Sequence, residues 1–83
     1  MWYVYFLKSK LRNWYYVGST NRLYERLSEH NKGKVFATKT YCPLDLVYVE
    51  SFDIESDARK RERLLKDKRI AKEQIIRHLE GKE

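Results

Sequence analysis

The chain has 83 residues, 18 of them Lys or Arg against 12 Asp or Glu, for a net charge of +6. At roughly 100–200 residues per domain this predicts one domain, and 42% hydrophobic with 14% aromatic residues excludes a disordered basic tail. A single cysteine excludes a disulfide framework or a cysteine-rich metal knuckle, no apolar run reaches the ~18–20 residues of a membrane helix, and so small a core predicts chemistry on an open face rather than in an enclosed cavity.

Residues 2–7 are β-branched and aromatic and carry neither a leading basic stretch nor a small-residue cleavage site, so they read as a strand rather than a signal peptide. With the lone thiol of Cys42, this points to a cytoplasmic protein. Trp14-Tyr15-Tyr16-Val17 is a second strand, ended by Gly18 and paired with the first through the polar loop 8–13 as an antiparallel hairpin. Thr20 or Asn21 offers a cap for a first helix, whose stripe is Leu23, Leu27 and His30. Asn31-Lys32-Gly33 stops it, with Gly33 suited to the left-handed position. Residues 34–43 form a loop. Leu44 to Phe52 is a third strand, with Leu44, Leu46, Tyr48 and Phe52 on one side, broken by Glu50. Asp53 or Ser56 caps a second helix through about Lys68. Ile70, Ala71, Ile75, Ile76 and Leu79 make a third helix at about 70–80, or a bent continuation. The fold class is mixed α+β in the order ββαβαα: a three-stranded antiparallel sheet flanked by helices.

The charge is concentrated. Residues 59–72 hold eight basic and two acidic residues, a surplus equal to that of the whole chain. Arg59, Lys60, Arg63, Lys66, Lys68 and Arg69 are the candidate phosphate contacts, through counterion release; the plainer reading is a solvated helix face. Three further features are polar groups at apolar stripes. Arg26 and His30 are i, i+4 neighbours bordering the first helix's buried stripe, where a snorkelling arginine and a satisfied core-edge histidine are the structural alternatives. Glu62 rides the edge of the Ala58–Leu65 stripe and needs a cation, either a nearby Lys or Arg or a metal. Of seven tyrosines, most read as half-buried strand residues, but the hairpin sets Tyr5 near Tyr16, and a phenol facing an open site can move a proton or stack a base.

Taken together these positions resemble the GIY-YIG nuclease superfamily, in particular its short stand-alone bacterial members. The resemblance lies in Tyr3-Val4-Tyr5, then Tyr16-Val17-Gly18-Ser19-Thr20 after ten intervening residues, Arg26-Leu27-x-x-His30-Asn31-x-Gly33, Pro43-x-x-Leu46-Val47-Tyr48-x-Glu50, and Ala58-x-x-x-Glu62-x-x-Leu65. It covers about residues 2–68. It implies a divalent-metal-dependent endonuclease acting on DNA, with RNA not separated from it, and a monomer or weak homodimer with no membrane partner. Glu62 would bind one Mg²⁺ or Mn²⁺, Arg26 would hold the scissile phosphate, Tyr5 and Tyr16 would position or deprotonate the attacking water, and His30 would assist. The chain departs from the family at Tyr3, where a Gly is usual; at Ser19, where many members have Lys; and in having no Asn after Asn31. The rival reading is a nucleic-acid-binding module without efficient cleavage. With no spare domain to read bases, low sequence specificity is expected, in a repair or recombination setting.

Overall fold

Residues 1–81 are described by the structure, a computed structural model. Strands β1 (Trp2–Ser9) and β2 (Tyr15–Thr20) are followed by helix α1 (Leu23–Asn31), a 3-10 turn at Lys39–Tyr41, strand β3 (Leu44–Phe52), and helices α2 (Glu55–Asp67) and α3 (Arg69–Leu79). The order ββαβαα stands as expected. The sheet is antiparallel with β1 central, in the order β2-β1-β3.

The central strand explains the continuous apolar run at the N-terminus. Val4, Tyr5, Phe6 and Leu7 are all buried because helices cover both faces of the sheet. On one face Val4 and Phe6 join Tyr15 and Val17 under Ala58 and Leu65 of α2 and Ile75, Ile76 and Leu79 of α3. On the other, Tyr5 and Leu7 pack with Leu23 and Leu27 of α1 and with Tyr41 and Cys42 of the loop.

The single-sided stripe expected on β3 does not form. Phe6 pairs with Tyr48 but Leu7 pairs with Leu46, so Val47 is an extra residue in the ladder. Such a bulge re-aims every side chain beyond it. Leu44 and Leu46 therefore face α1, whereas Tyr48 and Phe52 face α2. Glu50 does not break a stripe. It receives the Tyr48 hydroxyl at 2.6 Å and Arg61 Nε and Nη2 at 2.8 and 2.9 Å. Arg61, one of the eight basic residues of the 59–72 block, is thereby committed to the fold.

The expected caps also differ. The residue before α1 is Arg22, without a side-chain cap, and Thr20 Oγ1 accepts the Arg22 N–H instead. Neither Asp53 nor Ser56 caps α2, which starts after Ile54 with Glu55 and Asp57 in its first turn, placed to favour the helix dipole. Gly33 does take the left-handed conformation after α1, at φ 73°. The Asn31 side chain works harder than a stop signal. Its Oδ1 accepts Leu44 N–H at 2.7 Å and its Nδ2 donates to Leu44 O at 3.1 Å, so it imitates a strand partner and pins the end of α1 to the start of β3. Lys68, extended at φ −105° and ψ 97°, separates α2 from α3, which makes the last segment a distinct helix folded back on the sheet. Ile70 takes no part in that packing and is 72% exposed. Tyr15 Oη donates to Glu80 Oε2 at 2.9 Å, tying the end of α3 to β2.

Candidate active site

The hairpin register sets Tyr5 opposite Gly18 and Leu7 opposite Tyr16. Residues two apart on a strand share a face, so the Tyr5 and Tyr16 rings lie on the α1 side with centroids 6.4 Å apart. Leu23 and Leu27 seat α1 on that face and carry His30 into it. His30 is fully buried. Its Nε2 lies 2.9 Å from Tyr5 Oη and its Nδ1 lies 2.8 Å from Oγ1 of the equally buried Thr38. The imidazole centroid is 5.1 Å from that of Tyr16. Arg26, one turn earlier, is half-buried and gives Nη1 to Glu29 at 3.0 Å.

The hydrogen bonds select a tautomer. Thr38 Oγ1 also lies 3.4 Å from Val35 O, a bond it makes only as donor. The Thr38 hydroxyl therefore accepts from His30 Nδ1–H, and His30 Nε2 accepts from the Tyr5 hydroxyl. Burial, reinforced by the Arg26 charge, pushes His30 down to about 4. Burial and the neighbouring Tyr16 push the Tyr5 phenol well above its ordinary value, against the opposing pull of Arg26. At neutral pH the pair is thus a neutral imidazole holding a neutral phenol.

A stability prediction follows from the sign of the His30 shift. The unfolded chain takes up a proton near pH 6.5 and the folded one near pH 4. Stability from the neutral histidine is fully present above pH 6.5 and declines as pH falls towards 4, by about 3 kcal/mol at about 1.4 kcal/mol per unit. Urea midpoints measured between pH 7 and pH 4 are expected to show this fall, and a His30→Gln variant, already less stable at pH 7, is expected to lose most of the dependence.

Glu62 approaches from the other side of the sheet, at the outer edge of β2. Ser19 points towards α2, and its hydroxyl donates to Glu62 Oε1 in a short hydrogen bond. Lys66 Nζ donates to Glu62 Oε2 at 2.7 Å. The same ammonium stands 5.4 Å from the Tyr16 ring centroid, so Lys66 bridges the carboxylate and the phenol cluster around the strand edge. The Glu62 side chain keeps 18% exposure, and its field reaches Tyr5, where it opposes ionisation. No group of three or more His, Cys, Asp or Glu gathers as a metal cage among the described residues. One open carboxylate still fits a hard Mg²⁺-type ion, which keeps most of its waters and takes substrate phosphate oxygens as further ligands. Lys66 would have to yield Oε2 to it.

A family model described as the GIY-YIG catalytic domain matches residues 1–74. The chain belongs to the GIY-YIG family. Its relatives include the UPF0213 protein YazA of Bacillus subtilis, 33% identical over 88% of this chain and 86% of that protein. A UPF0213 protein of Syntrophus aciditrophicus is 40% identical over 90% and 88%. A third, UPF0213 protein SH2523 of Staphylococcus haemolyticus, is 44% identical over 72% and 73%. No solved structure matches. The domain is of the nuclease type, which implies a nucleic-acid substrate, and such nucleases generally use a divalent metal.

Of the residues singled out from the sequence, Tyr5, Tyr16, Arg26 and His30 share one face of this GIY-YIG domain, with Glu62 joined to them across the β2 edge. The sequence reading misses the roles of two members of the site and gives a third a different one. Thr38 lay in what read as a plain loop, yet it fixes the His30 tautomer. Ser19 stood only as a departure from the family pattern, yet it orients Glu62. Lys66 was grouped with the phosphate contacts, yet it faces Glu62 and Tyr16. The remaining basic residues of α2 and its end are exposed. Arg59 pairs with Glu55 and Arg69 with Glu73, both at 2.8 Å. Lys60, Arg63 and Lys68 carry no ion pair among the described residues. Arg59, Arg63 and Lys66 line an open depression beside Glu62. No helix among the described residues is long and apolar enough to cross a membrane.

Proposed function

We propose that this chain is a divalent-metal-dependent endonuclease that hydrolyses phosphodiester bonds in DNA with low sequence specificity, in repair or recombination. The observation that carries the reading is the Tyr5–His30–Thr38 chain of hydrogen bonds buried beside Arg26. A tyrosine whose proton already points at a neutral imidazole is arranged to receive a proton on its oxygen. In this mechanism the attacking water gives its proton to Tyr5 Oη as Tyr5 passes its own to His30 Nε2. Tyr16 helps to orient the water. Arg26 binds the scissile phosphate through donors that Glu29 leaves open. That pairing also offsets the Arg26 charge, one of the two causes of the low His30 pKa, so substrate binding makes His30 a better acceptor. Glu62 is the residue that would hold Mg²⁺ or Mn²⁺, and the ion would supply Lewis-acid stabilisation of developing negative charge. Arg59, Lys60, Arg63, Lys66, Lys68 and Arg69 attract the strand. The protein acts in the cytoplasm as a monomer or weak homodimer.

The test incubates labelled single-stranded, duplex and branched DNA, with an RNA arm, in Mg²⁺, Mn²⁺ or EDTA. Cutting is expected with metal and not with EDTA. Arg26→Ala is expected to lower the rate by about 10²–10³-fold, the usual loss on removing one transition-state donor. Salt-sensitive binding with no cutting of any substrate would reject the enzyme and favour a nucleic-acid-binding module.

A further inference from the structure

Two loops that are far apart in sequence form one surface next to the tyrosines. Lys10 N donates to Pro43 O at 2.9 Å and Ser9 Oγ to Tyr41 O at 2.7 Å, which fastens the β1–β2 loop to the segment before β3. Trp14 stacks on Tyr41 with centroids 3.7 Å apart and planes 5° from parallel. The Arg12 guanidinium lies 5.3 Å from the Tyr41 centroid. On its other flank Trp14 continues to Tyr16, at 6.3 Å and 29°. An Arg-Tyr-Trp-Tyr stack therefore runs from the loops into the site.

Phe36 belongs to the same 34–43 segment as Tyr41. It is 87% exposed, the most exposed of the large hydrophobic side chains among the described residues. The backbone that carries it is nevertheless anchored. Thr38 N donates to Val35 O at 3.1 Å, and Thr38 itself is buried against His30. The turn that orients His30 thus carries a phenyl ring out to solvent two residues away. Lys39 Nζ sits 5.6 Å from that ring. Residues 30–44 contain three lysines and no carboxylate. Lys32 and Lys34 share a depression with Glu25 and Glu29, which leaves Lys39 as the cation beside the ring. An exposed aromatic with a cation at its side is what an unpaired strand recognises: cations track the phosphates, and bases stack on π-faces regardless of sequence. A duplex hides those faces.

We propose that this loop surface binds an unpaired strand, with a base stacked on Phe36, so that the nuclease acts on single-stranded DNA or on duplexes with a single-stranded flank. The proposal deepens the nuclease reading and rests on it for the cut, but not for the binding. The binding test is therefore run without metal. Fluorescence anisotropy in EDTA compares a labelled 20-nucleotide single strand with the same sequence as a duplex. The wild type is expected to prefer the single strand. Phe36→Ala is expected to weaken single-strand binding about tenfold, within the usual range for losing one stacked base, with little effect on duplex. Phe36→Tyr keeps a ring and is expected to bind as wild type. Because Phe36 is so exposed, Phe36→Ala should keep the wild-type melting temperature, which is measured alongside. Equal binding of strand and duplex, or a Phe36→Ala variant that binds single strands as tightly as wild type, overturns the proposal. Metal-dependent cutting measured on the same samples separates the two readings. If cutting persists while Phe36 proves irrelevant, only the stacking proposal falls. If Phe36-dependent binding comes without any cutting, the nuclease reading falls and the binding surface stands.

Discussion

Glu62→Gln is expected to lower metal-dependent cleavage by about a thousandfold, a loss on the scale of a major electrostatic contributor to the transition state, while the protein stays folded and binds DNA at least as well. The reasoning starts from what the amide keeps and loses. Gln has the same shape and retains an oxygen for the Ser19 hydroxyl, so the contact to β2 survives. It loses the ion pair with Lys66, whose side chain is 45% exposed. Partly exposed pairs of this kind contribute about 1 kcal/mol or less, so the melting temperature should move little. It also loses the formal negative charge that Ser19 and Lys66 hold at this edge, and a neutral amide is a poor substitute for binding a hard cation. DNA binding in EDTA should hold or tighten, because a negative charge among Arg59, Arg63 and Lys66 has been removed. A variant that cleaves like wild type would reduce Glu62 to an ion-pair partner for Lys66, and the metal would have to be held elsewhere.

That ion-pair alternative was already visible in the sequence, and the structure contains its partner. The two readings are compatible, because a carboxylate poised for a cation must be neutralised by something while it waits. What the sequence could not supply was the identity of the neutralising group. Periodicity puts Glu62 at the edge of a buried stripe and Lys66 one turn on. It cannot tell that Ser19, 43 residues earlier, reaches the same carboxylate, because that depends on how α2 crosses β2. Thr38 was hidden for the same reason. A threonine between glycine and proline in a basic loop looks solvated, and only the closing of residues 34–43 over His30 buries it.

Elsewhere local rules were sufficient. The polar loop between two aromatic runs fixed the hairpin. Gly33 ended α1, while the 70–79 stripe left open a third helix or a bent continuation, which the extended backbone of Lys68 decides. The rules failed where tertiary geometry overrode them. The bulge at Val47 splits the β3 stripe between two faces, and strict alternation cannot anticipate an inserted residue. Packing also starts α1 and α2 at residues that do not cap, although better capping residues stand one or two positions away. Arg61 shows the limit of charge counting: in the sequence it adds one more positive charge to the 59–72 block, whereas in the fold it is the half-buried counter-ion of Glu50.

Gly18→Ala is expected to disable the site from a position that carries no functional group. A Cβ there would lie 2.5 Å from Tyr5 Oη, 2.7 Å from Tyr5 Cζ and 3.0 Å from Tyr16 Cε2. The need for glycine is thus one of space, since only Gly33 and Gly81 among the described glycines have positive φ. The Tyr5 ring cannot swing clear without cost. It is 2% exposed, packed under α1, and its hydroxyl is the partner of His30 Nε2. Forcing a methyl group into a packed site costs about 1–3 kcal/mol, and leaving the buried imidazole nitrogen without its partner adds about 1–3 kcal/mol more. We expect a stability loss of about 3 kcal/mol by urea denaturation, within those ranges. We also expect a cleavage loss of about a hundredfold, because a displacement near 1 Å is enough for that. Tyr5→Phe in the same chain removes the nearest of the three clashing atoms. The double variant should recover part of the stability that Gly18→Ala loses, a non-additivity that marks direct contact. It should recover none of the activity, because the hydroxyl that His30 holds is gone. If Gly18→Ala were as stable and active as wild type, the close approach of Tyr5 to β2 would be wrong, and with it the geometry that joins the phenol to His30.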